Sequence, residues 1–472
     1  MSPNRRRPSP TSRTVARHIR DIVMSESGTS SIPRLSLASW LQRIERLHPT
    51  SIDLGLERVA EVGRRMGLDD GSLAQHVITV AGTNGKGSTV AMLEALARAH
   101  GLSTATYTSP HLVRYNERVR LDGTEVDDAS LVEAFERVEL ARIHPEPVSL
   151  TYFEFGTLSA LCLIADTRPD LAVLEVGLGG RLDAVNIIDA DVAVVTTVAH
   201  DHAAFLGNDL DVIGREKAGI IRQQRPVVLG SRHLPDSVNE VVDALQAEAY
   251  ALGNAFDWTW EPSGGEWCWR GRHADGARLT LRGLPDPQLP LDNAATALQS
   301  LSLCHVMLDN ECCRQAFSAV HLPGRMQWLG HWCLDVAHNP HAAGHVAARL
   351  SALACPGRRI ALLGMVEDKD ADGVIEVLSP VIDAWVSVSL EGERGRSAAA
   401  LSARLEAAGC RVLYQAASPS EGADWLMSQV GPDDQVLVCG SFFTVAGVLS
   451  ADIGKMATDD AVSRSDPPGR TG

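Results

Sequence analysis

A glycine-rich turn between an apolar run and a helical pattern constrains this chain more than any other feature. The run VITVA at 77–81 predicts a buried strand, and it breaks into GTNGKGST at 82–89 before helix-forming residues follow. The N–H groups of such a turn and the positive end of the helix dipole favour phosphate. Lys86 would reach the outer phosphates, and Ser88 or Thr89 can bind Mg²⁺. The turn therefore predicts a site for ATP and Mg²⁺, formed by Gly82, Thr83, Asn84, Gly85, Lys86, Gly87 and Ser88.

The overall composition restricts the classes of function. With 472 residues, 45% hydrophobic and 22% charged, the chain can bury a large core and divide into two or three domains. A net charge of −16 argues against a general affinity for nucleic acid or anionic membranes. No apolar run reaches the roughly 18 residues of a membrane span. We therefore expect a cytoplasmic, monomeric enzyme with small-molecule substrates and neither nucleic-acid nor membrane partners.

Cysteine and lysine usage adds two indications. The nine cysteines include no C-x-x-C pair, which favours free thiols over disulfides or zinc. Of 43 lysine and arginine residues only four are lysines, and three of those, Lys86, Lys217 and Lys369, lie in motif-like segments. An amine can lose its proton or act as a compact charge, whereas guanidinium cannot. We infer that these lysines are retained for chemistry.

The order of apolar and helical patterns predicts the α/β fold class. A mostly parallel sheet is expected first, because apolar segments end in glycine or polar turns and helical patterns follow several of them. Residues 252–290 alternate tryptophan with polar residues, which predicts a small antiparallel appendage packed by those tryptophans. After 322–325, strands and helices alternate again and predict a smaller Rossmann-like α/β domain. The strands expected in the first sheet are 76–81, 171–176, 190–198 and 226–230.

The domain limits follow from these patterns. We expect one domain over 33–322 and a second over 323–456. Arginine, proline and serine dominate the start of the chain, which predicts a disordered leader over 1–32, with Met24 as an alternative start. A disordered tail is expected over 457–472.

A carboxylate stands where a predicted strand meets a glycine turn. Glu175 ends the apolar segment 171–176 and precedes the turn at 177–180. Ligands of open α/β sheets bind at the carboxyl ends of the strands, and Mg²⁺ takes few protein oxygens. Glu175 is therefore a candidate metal ligand, and the alternative is a carboxylate that caps its own loop.

These motifs resemble the folate branch of the Mur ligase superfamily, the dihydrofolate synthase/folylpolyglutamate synthase enzymes. The turn departs from the usual P-loop pattern because Gly87 separates Lys86 from Ser88, and it is similar to the ATP loop of that family. DHAAFLG at 201–207 and EKAGI at 216–220 are similar to two further family motifs. The resemblance extends over roughly residues 36–450. It implies that the first domain binds ATP and pteroate and that the second is the glutamate-ligase domain.

The resemblance implies two Mg²⁺ ions and a modified lysine. The metal ligands would be Ser88, Ser109, Glu175 and His202. Lys217 would be carbamylated, because CO₂ adds to a neutral amine and leaves an anion that can orient metal-bound groups. Without the resemblance, Lys217 would be interpreted as a surface lysine. The catalytic residues implied are Lys86, Lys217 and His338.

The resemblance also implies a pteroate site. Asp183 would bind the aminopyrimidine edge of a pterin, and Phe153 would stack on its rings. Val185 replaces the threonine usual in the family, and His200 stands where an apolar residue is commoner. These departures leave the choice between dihydropteroate and folate open. The residues implied are Ser51, Ile52, Asp53, Leu54, Thr151, Tyr152, Phe153, Glu154, Leu182, Asp183 and Ala184.

The remaining implied contacts lie in the second half of the chain. Asn293 would contact adenine, Arg325 the phosphates and Asp335 the ribose. The candidates near incoming glutamate are His338, Lys369 and Ser441.

The activity implied is that of an ATP-dependent amide ligase, which adds L-glutamate to dihydropteroate and to reduced folates through an acyl phosphate. Three alternatives stay open at this point. They are a monofunctional folylpolyglutamate synthase, a cell-wall Mur ligase, and a non-ligase P-loop ATPase or nucleotide-binding regulator.

Overall fold

The computed structural model describes residues 35–50, 52–68, 71, 73–201, 203–262 and 264–451. The predicted leader and tail lie outside these residues, as do Ser51 and His202. The domain limits at 322 and 456 stay predictions. Among the described helices, none is both long and apolar enough to cross a membrane. All nine cysteines are free.

An eight-stranded sheet forms the centre of the first half, with the order β4-β3-β2-β5-β1-β6-β7-β8. Strands β3 and β4 pair antiparallel at one edge, and the other strands are parallel. Alternate residues of β5 pack into two different core clusters, because helices cover both faces. The strands are β1 (His76–Ala81), β2 (Thr104–Tyr107), β3 (Val119–Leu121), β4 (Thr124–Glu125), β5 (Leu171–Glu175), β6 (Val192–Val195), β7 (Pro226–Leu229) and β8 (Glu248–Ala251).

The helices of the first half pack on this sheet and on its appendage. Asp127 and Thr151 cap two of them by accepting hydrogen bonds from backbone N–H groups of the first turn. Residues 291–319 form two helices separated at 304–309. The helices are α1 (Leu37–Ile44), α2 (Glu57–Arg65), α3 (Lys86–Ala99), α4 (Asp128–Ile143), α5 (Tyr152–Thr167), α6 (Ala203–Leu206), α7 (Leu210–Ala218), α8 (Asp236–Leu245), α9 (Leu291–Leu303) and α10 (Asn310–Ala319).

The tryptophan-rich segment forms the expected antiparallel appendage, β9 (Asp257–Trp260), β10 (Glu266–Arg272) and β11 (Arg278–Pro285). Trp267 and Trp269 are fully buried, and the indole N–H of Trp269 donates to the Ala295 carbonyl of α9 at 3.2 Å. Trp260 instead is 46% exposed. Two of the tryptophans therefore pack the appendage on the first domain, as predicted.

A second, six-stranded sheet has the order β12-β13-β17-β14-β15-β16, and only β12 is antiparallel to its neighbour. This confirms the predicted α/β class with two separate sheets. The elements are β12 (Gln327–Leu329), β13 (Trp332–Leu334), α11 (Pro340–Ser351), β14 (Arg359–Leu363), α12 (Ala371–Leu378), β15 (Ala384–Val388), α13 (Ala398–Ala407), β16 (Val412–Ala416), α14 (Pro419–Met427), β17 (Gln435–Cys439) and α15 (Phe442–Leu449).

Candidate active site

The glycine-rich turn joins β1 to α3, as predicted. Gly82 and Gly85 have φ values of 153° and 87°, a region that strongly favours glycine. A β-carbon on Gly82 would overlap the hydroxyl of Thr196, and one on Gly85 would lie 2.6 Å from Asn293 Oδ1. Both glycines are therefore required by close approach as well as by backbone conformation, and α9 lies directly against the turn.

Lys86 is the first residue of α3 and folds back over the turn. Its Nζ donates to the carbonyl oxygens of Gly82 at 3.0 Å and Thr83 at 3.2 Å. Burial lowers the pKa of Lys86, and the negative charge of Glu175 opposes that effect. The amine is therefore positioned at the phosphate loop, with a carboxylate close enough to support its charge.

Glu175 ends β5 beside the same turn. A β-carbon on Gly87 would lie 3.9 Å from both carboxylate oxygens, and the N–H of Ser109 donates to Glu175 Oε2 at 3.2 Å. Burial raises the pKa of Glu175, and the Lys86 charge opposes this effect. Ser88 is buried on the first turn of α3. Ser88, Ser109 and Glu175 thus lie beside the glycine-rich turn and line the same cavity.

The described residues include no group of three histidine, cysteine, aspartate or glutamate side chains that could hold a metal. Two hydroxyl groups and one carboxylate are still a suitable donor set for Mg²⁺, which takes hard oxygen ligands and keeps several waters. The fourth predicted ligand, His202, is outside the described residues.

Asp183 lies in the wall where pteroate is expected. Its carboxylate accepts the N–H groups of Gly177, Leu178 and Val185 at 2.9–3.0 Å. Burial nevertheless raises its pKa to about 6. A carboxylate has about four acceptor sites. Three of those of Asp183 bind the backbone N–H groups of this turn, so one remains for a ligand.

Thr151 and Glu154 form a capping box at the start of α5. Thr151 Oγ1 accepts the Glu154 N–H at 3.2 Å, and the Glu154 carboxylate accepts the Thr151 N–H at 2.8 Å. Glu154 also accepts from Arg58 at 3.0 Å. Phe153, between them in sequence, packs over Gly177. The capping residues therefore present Phe153 and Tyr152 to the site.

Lys217 lies near the end of α7 and is only 4% exposed. Burial and the nearby charge of Lys86 lower its pKa to about 7. Within the described part of the chain, no carboxylate approaches its Nζ to salt-bridge distance. The interpretation of Lys217 as a surface lysine is therefore wrong: it is a buried amine.

The predicted nucleotide residues of the second half line the same cavity as the turn. Arg325 is half-buried, with its guanidinium carbon 5.1 Å from the centre of the Phe442 ring. Asp335 accepts the N–H groups of Met326 and Ala337 at 2.9 and 2.8 Å, and therefore holds the backbone beside Arg325. Ser441 caps α15 by accepting the Phe443 N–H at 3.2 Å.

The sequence motif at 201–207 includes Asp201 but gives it no role. In the structure, Asp201 connects the first domain to the second. It forms an ion pair with Lys369, and these side chains are 8% and 7% exposed. His338 Nε2 and Asn339 Nδ2 each lie 3.4 Å from Asp201 Oδ2. The Asn339 and Asn84 amides also exchange hydrogen bonds at 3.0 and 3.1 Å. His338 and Lys369, two candidates for binding the glutamate substrate, thus contact the first domain directly. In the sequence, only the position of Asp201 after β6 could have indicated these contacts.

One cavity of about 1100 Å³ brings these groups together. Residues of both α/β units line it, among them every predicted site residue that the structure describes. The glycine-rich turn, a buried carboxylate, a buried amine and an aromatic wall therefore share one space.

Comparison with known proteins agrees with this geometry. Family models for the Mur ligase middle domain and for the Mur ligase glutamate ligase domain match residues 80–230 and 324–442. The dihydrofolate synthase/folylpolyglutamate synthase of Escherichia coli K12 is 44% identical over 416 residues, covering 88% of this chain and 94% of that protein.

Two solved structures extend the comparison to the fold. E. coli FolC in complex with DHPP and ADP has a TM-score of 0.82 at 41% identity, covering 92% of this chain and 99% of that one. A bifunctional folylpolyglutamate synthase/dihydrofolate synthase with Mn, AMPPNP and L-glutamate bound has a TM-score of 0.79 at 43% identity, covering 88% and 98%. This chain therefore belongs to the dihydrofolate synthase/folylpolyglutamate synthase family of Mur ligases.

Proposed function

We propose that this chain is an ATP-dependent ligase that adds L-glutamate to dihydropteroate and to reduced folates. The observation that carries the proposal is the single cavity in which the phosphate loop, Glu175 and the second domain meet. Relatives at 41–44% identity carry both synthase names or bind DHPP and ADP. A monofunctional folylpolyglutamate synthase is the alternative. The monomeric state and the cytoplasmic location stay predictions.

The first step is transfer of the γ-phosphoryl group to the substrate carboxylate. A carboxylate oxygen forms the new bond to phosphorus, and the bond to the β,γ-bridging oxygen breaks, so ADP leaves with the electron pair. Lys86, the N–H groups of the turn and the dipole of α3 compensate negative charge on the phosphates. Asn293, beside the turn, would bind adenine, and Arg325 and Asp335 would bind the phosphates and the ribose.

Ser88, Ser109 and Glu175 would hold Mg²⁺, and a second ion would need His202. When bound, the metal neutralises charge on the transferring phosphoryl group. Among the relatives, one structure contains Mn with AMPPNP and L-glutamate, which supports divalent-metal use here. The number of ions is part of the proposal.

Lys217 would act as a carbamate. Its neutral amine attacks the carbon of CO₂ and releases one proton, which converts a buried cation into a carboxylate. The shifted pKa of about 7 and the absence of a carboxylate partner among the described residues support this assignment. Such an anion could orient groups bound at the metal.

The second step is attack of the α-amine of glutamate on the acyl phosphate, with release of inorganic phosphate. Water must be kept from this intermediate, and the contacts of Asp201 and Asn84 with the second domain would help to close the cavity over it. His338, Lys369 and Ser441 are the candidate glutamate residues. Since Lys369 and His338 contact Asp201, closure and glutamate binding would be coupled.

Release of ADP tests the proposal. A ligase should release ADP at an appreciable rate only when L-glutamate is present together with dihydropteroate or a reduced folate. ADP release with glutamate and a reduced folate, but not with glutamate and dihydropteroate, would favour the monofunctional alternative. An ADP release rate that is indifferent to both substrates would contradict the proposal and favour a P-loop ATPase.

A further inference from the structure

Arg118 is a buried cation in the wall of the main cavity. It ends the 3₁₀ turn Tyr115–Arg118 that precedes β3, and it is 7% exposed. Its guanidinium carbon lies 5.1 Å from the centre of the Tyr115 ring and 5.7 Å from that of Tyr152. The two aromatic rings therefore fix the plane of the guanidinium at the side of the cavity where pteroate is expected.

One hydrogen bond sets the direction of this side chain. Arg118 Nε donates to His111 Nδ1 at 2.9 Å. Two residues earlier, the N–H of Ser109 donates to Glu175. The same short loop thus holds both Arg118 and the candidate metal ligand.

Arg118 forms no ion pair with a carboxylate among the described residues, although the charge of Glu175 is near enough to interact with it. The arginines that flank it are paired: Arg114 lies 3.7 Å from Asp128, and Arg120 lies 3.2 Å from Glu94. No described carboxylate lies within 4.0 Å of Arg118. The hydroxyl of Tyr115, in the same wall, is buried and finds no hydrogen-bond partner in the described part of the chain. Burying an unpaired charge is costly, which suggests that an anionic ligand supplies the partner.

We infer that Arg118 binds the substrate carboxylate that ATP phosphorylates, whether on dihydropteroate or on a folate. This inference rests on the proposed function. The reacting carboxylate must reach the γ-phosphate beside Glu175, and the loop that holds Glu175 also holds Arg118. A guanidinium presents two parallel N–H donors that match a carboxylate. Arg118 is therefore a binding residue that orients the reacting group.

A ligand without the carboxylate charge tests this inference. Binding of dihydropteroate and of its carboxamide would be measured by calorimetry in the presence of Mg-ADP, which prevents turnover. We expect Arg118→Met to weaken dihydropteroate binding by about 10- to 100-fold, the range for a lost charge-assisted hydrogen bond, and to leave carboxamide binding nearly unchanged. Arg118→Lys, which keeps the charge but not the paired donors, should bind dihydropteroate with intermediate affinity.

Arg114→Met is the matched control, because Arg114 is exposed and close in sequence, and it should bind both ligands like the parent. Thermal unfolding of ligand-free Arg118→Met should show no fall in Tm, since the variant loses an unpaired buried charge. Three results for Arg118→Met would overturn the inference. They are an equal weakening of dihydropteroate and carboxamide binding, a lowered Tm together with loss of binding of both ligands, and unchanged dihydropteroate binding. Failure of the parent protein to bind dihydropteroate or a reduced folate would contradict the proposed function itself.

Discussion

Replacing Lys217 by alanine tests the proposed carbamate. The side chain is 4% exposed, so the substitution leaves a space inside the protein. If Lys217 works as an anion, Lys217→Ala loses a fixed negative charge, and a small carboxylate that diffuses into the space should replace part of it. Formate and acetate are suitable in size and charge.

The expected magnitude follows from the environment of the amine. With a pKa of about 7, lowered from 10.5, about half of the lysine is neutral at pH 7, whereas an ordinary lysine is neutral at roughly 0.03%. Lys217 is therefore able to add CO₂ near neutral pH, and the modified fraction should fall as pH drops below 7. Loss of one positioned group that acts in a transition state costs about 10²- to 10³-fold in kcat. We expect a loss of this size in Lys217→Ala.

The assay is ADP release with dihydropteroate, glutamate and Mg-ATP, with formate, acetate or methylammonium added. Formate or acetate should restore part of the rate, and methylammonium should not. Lys369→Ala is the matched control, because Lys369 is also buried but is paired with Asp201, so a carboxylate should not rescue it. Parent enzyme depleted of CO₂ at pH 6.5 should regain activity when bicarbonate is added.

Rescue of Lys217→Ala by amines would refute the reasoning, because it would show that the residue works as a cation. Equal rescue of Lys369→Ala by carboxylates would show that the effect is not specific to this position. Crystals of an active ATP complex at neutral pH with no electron density beyond Lys217 Nζ would also contradict the carbamate.

Three further variants test the phosphate loop and the metal site. Lys86→Ala should lower kcat by about a hundredfold or more with little change in Tm, since Nζ stabilises charge on the phosphates; a well-folded variant with parental turnover would exclude this lysine from ATP chemistry. Glu175→Ala should raise the Mg²⁺ concentration needed for half-maximal activity, and an unchanged Mg²⁺ titration would return Glu175 to a loop-capping role. Gly82→Ala should lower stability by about 1–3 kcal/mol and abolish ATP binding, because its β-carbon overlaps Thr196; chemical denaturation with parental stability would contradict the geometry of the turn.

Local sequence patterns were sufficient for the elements that carry the site. The apolar run before the turn predicted β1, and the glycines and Lys86 of the turn predicted a phosphate loop, because strand periodicity and positive φ values are local properties. Glu175 was placed correctly at the end of β5 for the same reason. These features need no knowledge of distant contacts.

The contacts between domains could not be predicted in the same way. The Asp201–Lys369 ion pair joins residues 168 positions apart, and the Asn84–Asn339 amide pair joins residues 255 apart. The sequence also does not distinguish a ligand-binding polar residue from one that holds the backbone. Thr151 and Glu154 cap α5, and Asp183 binds three backbone N–H groups, although all three were predicted only as pteroate residues. The inference about Arg118 rests on the observation that no described carboxylate lies within 4.0 Å of it. Only a structure can show this.

Mass spectrometry of the reaction products tests the proposed function most directly. The protein would be incubated with Mg-ATP and L-glutamate, together with either dihydropteroate or tetrahydrofolate. We expect dihydropteroate to gain the mass of one glutamyl residue, tetrahydrofolate to gain at least one, and each addition to require ATP and release one ADP. Products with unchanged mass while ATP is hydrolysed would contradict the proposal that this chain is a folate-branch glutamate ligase.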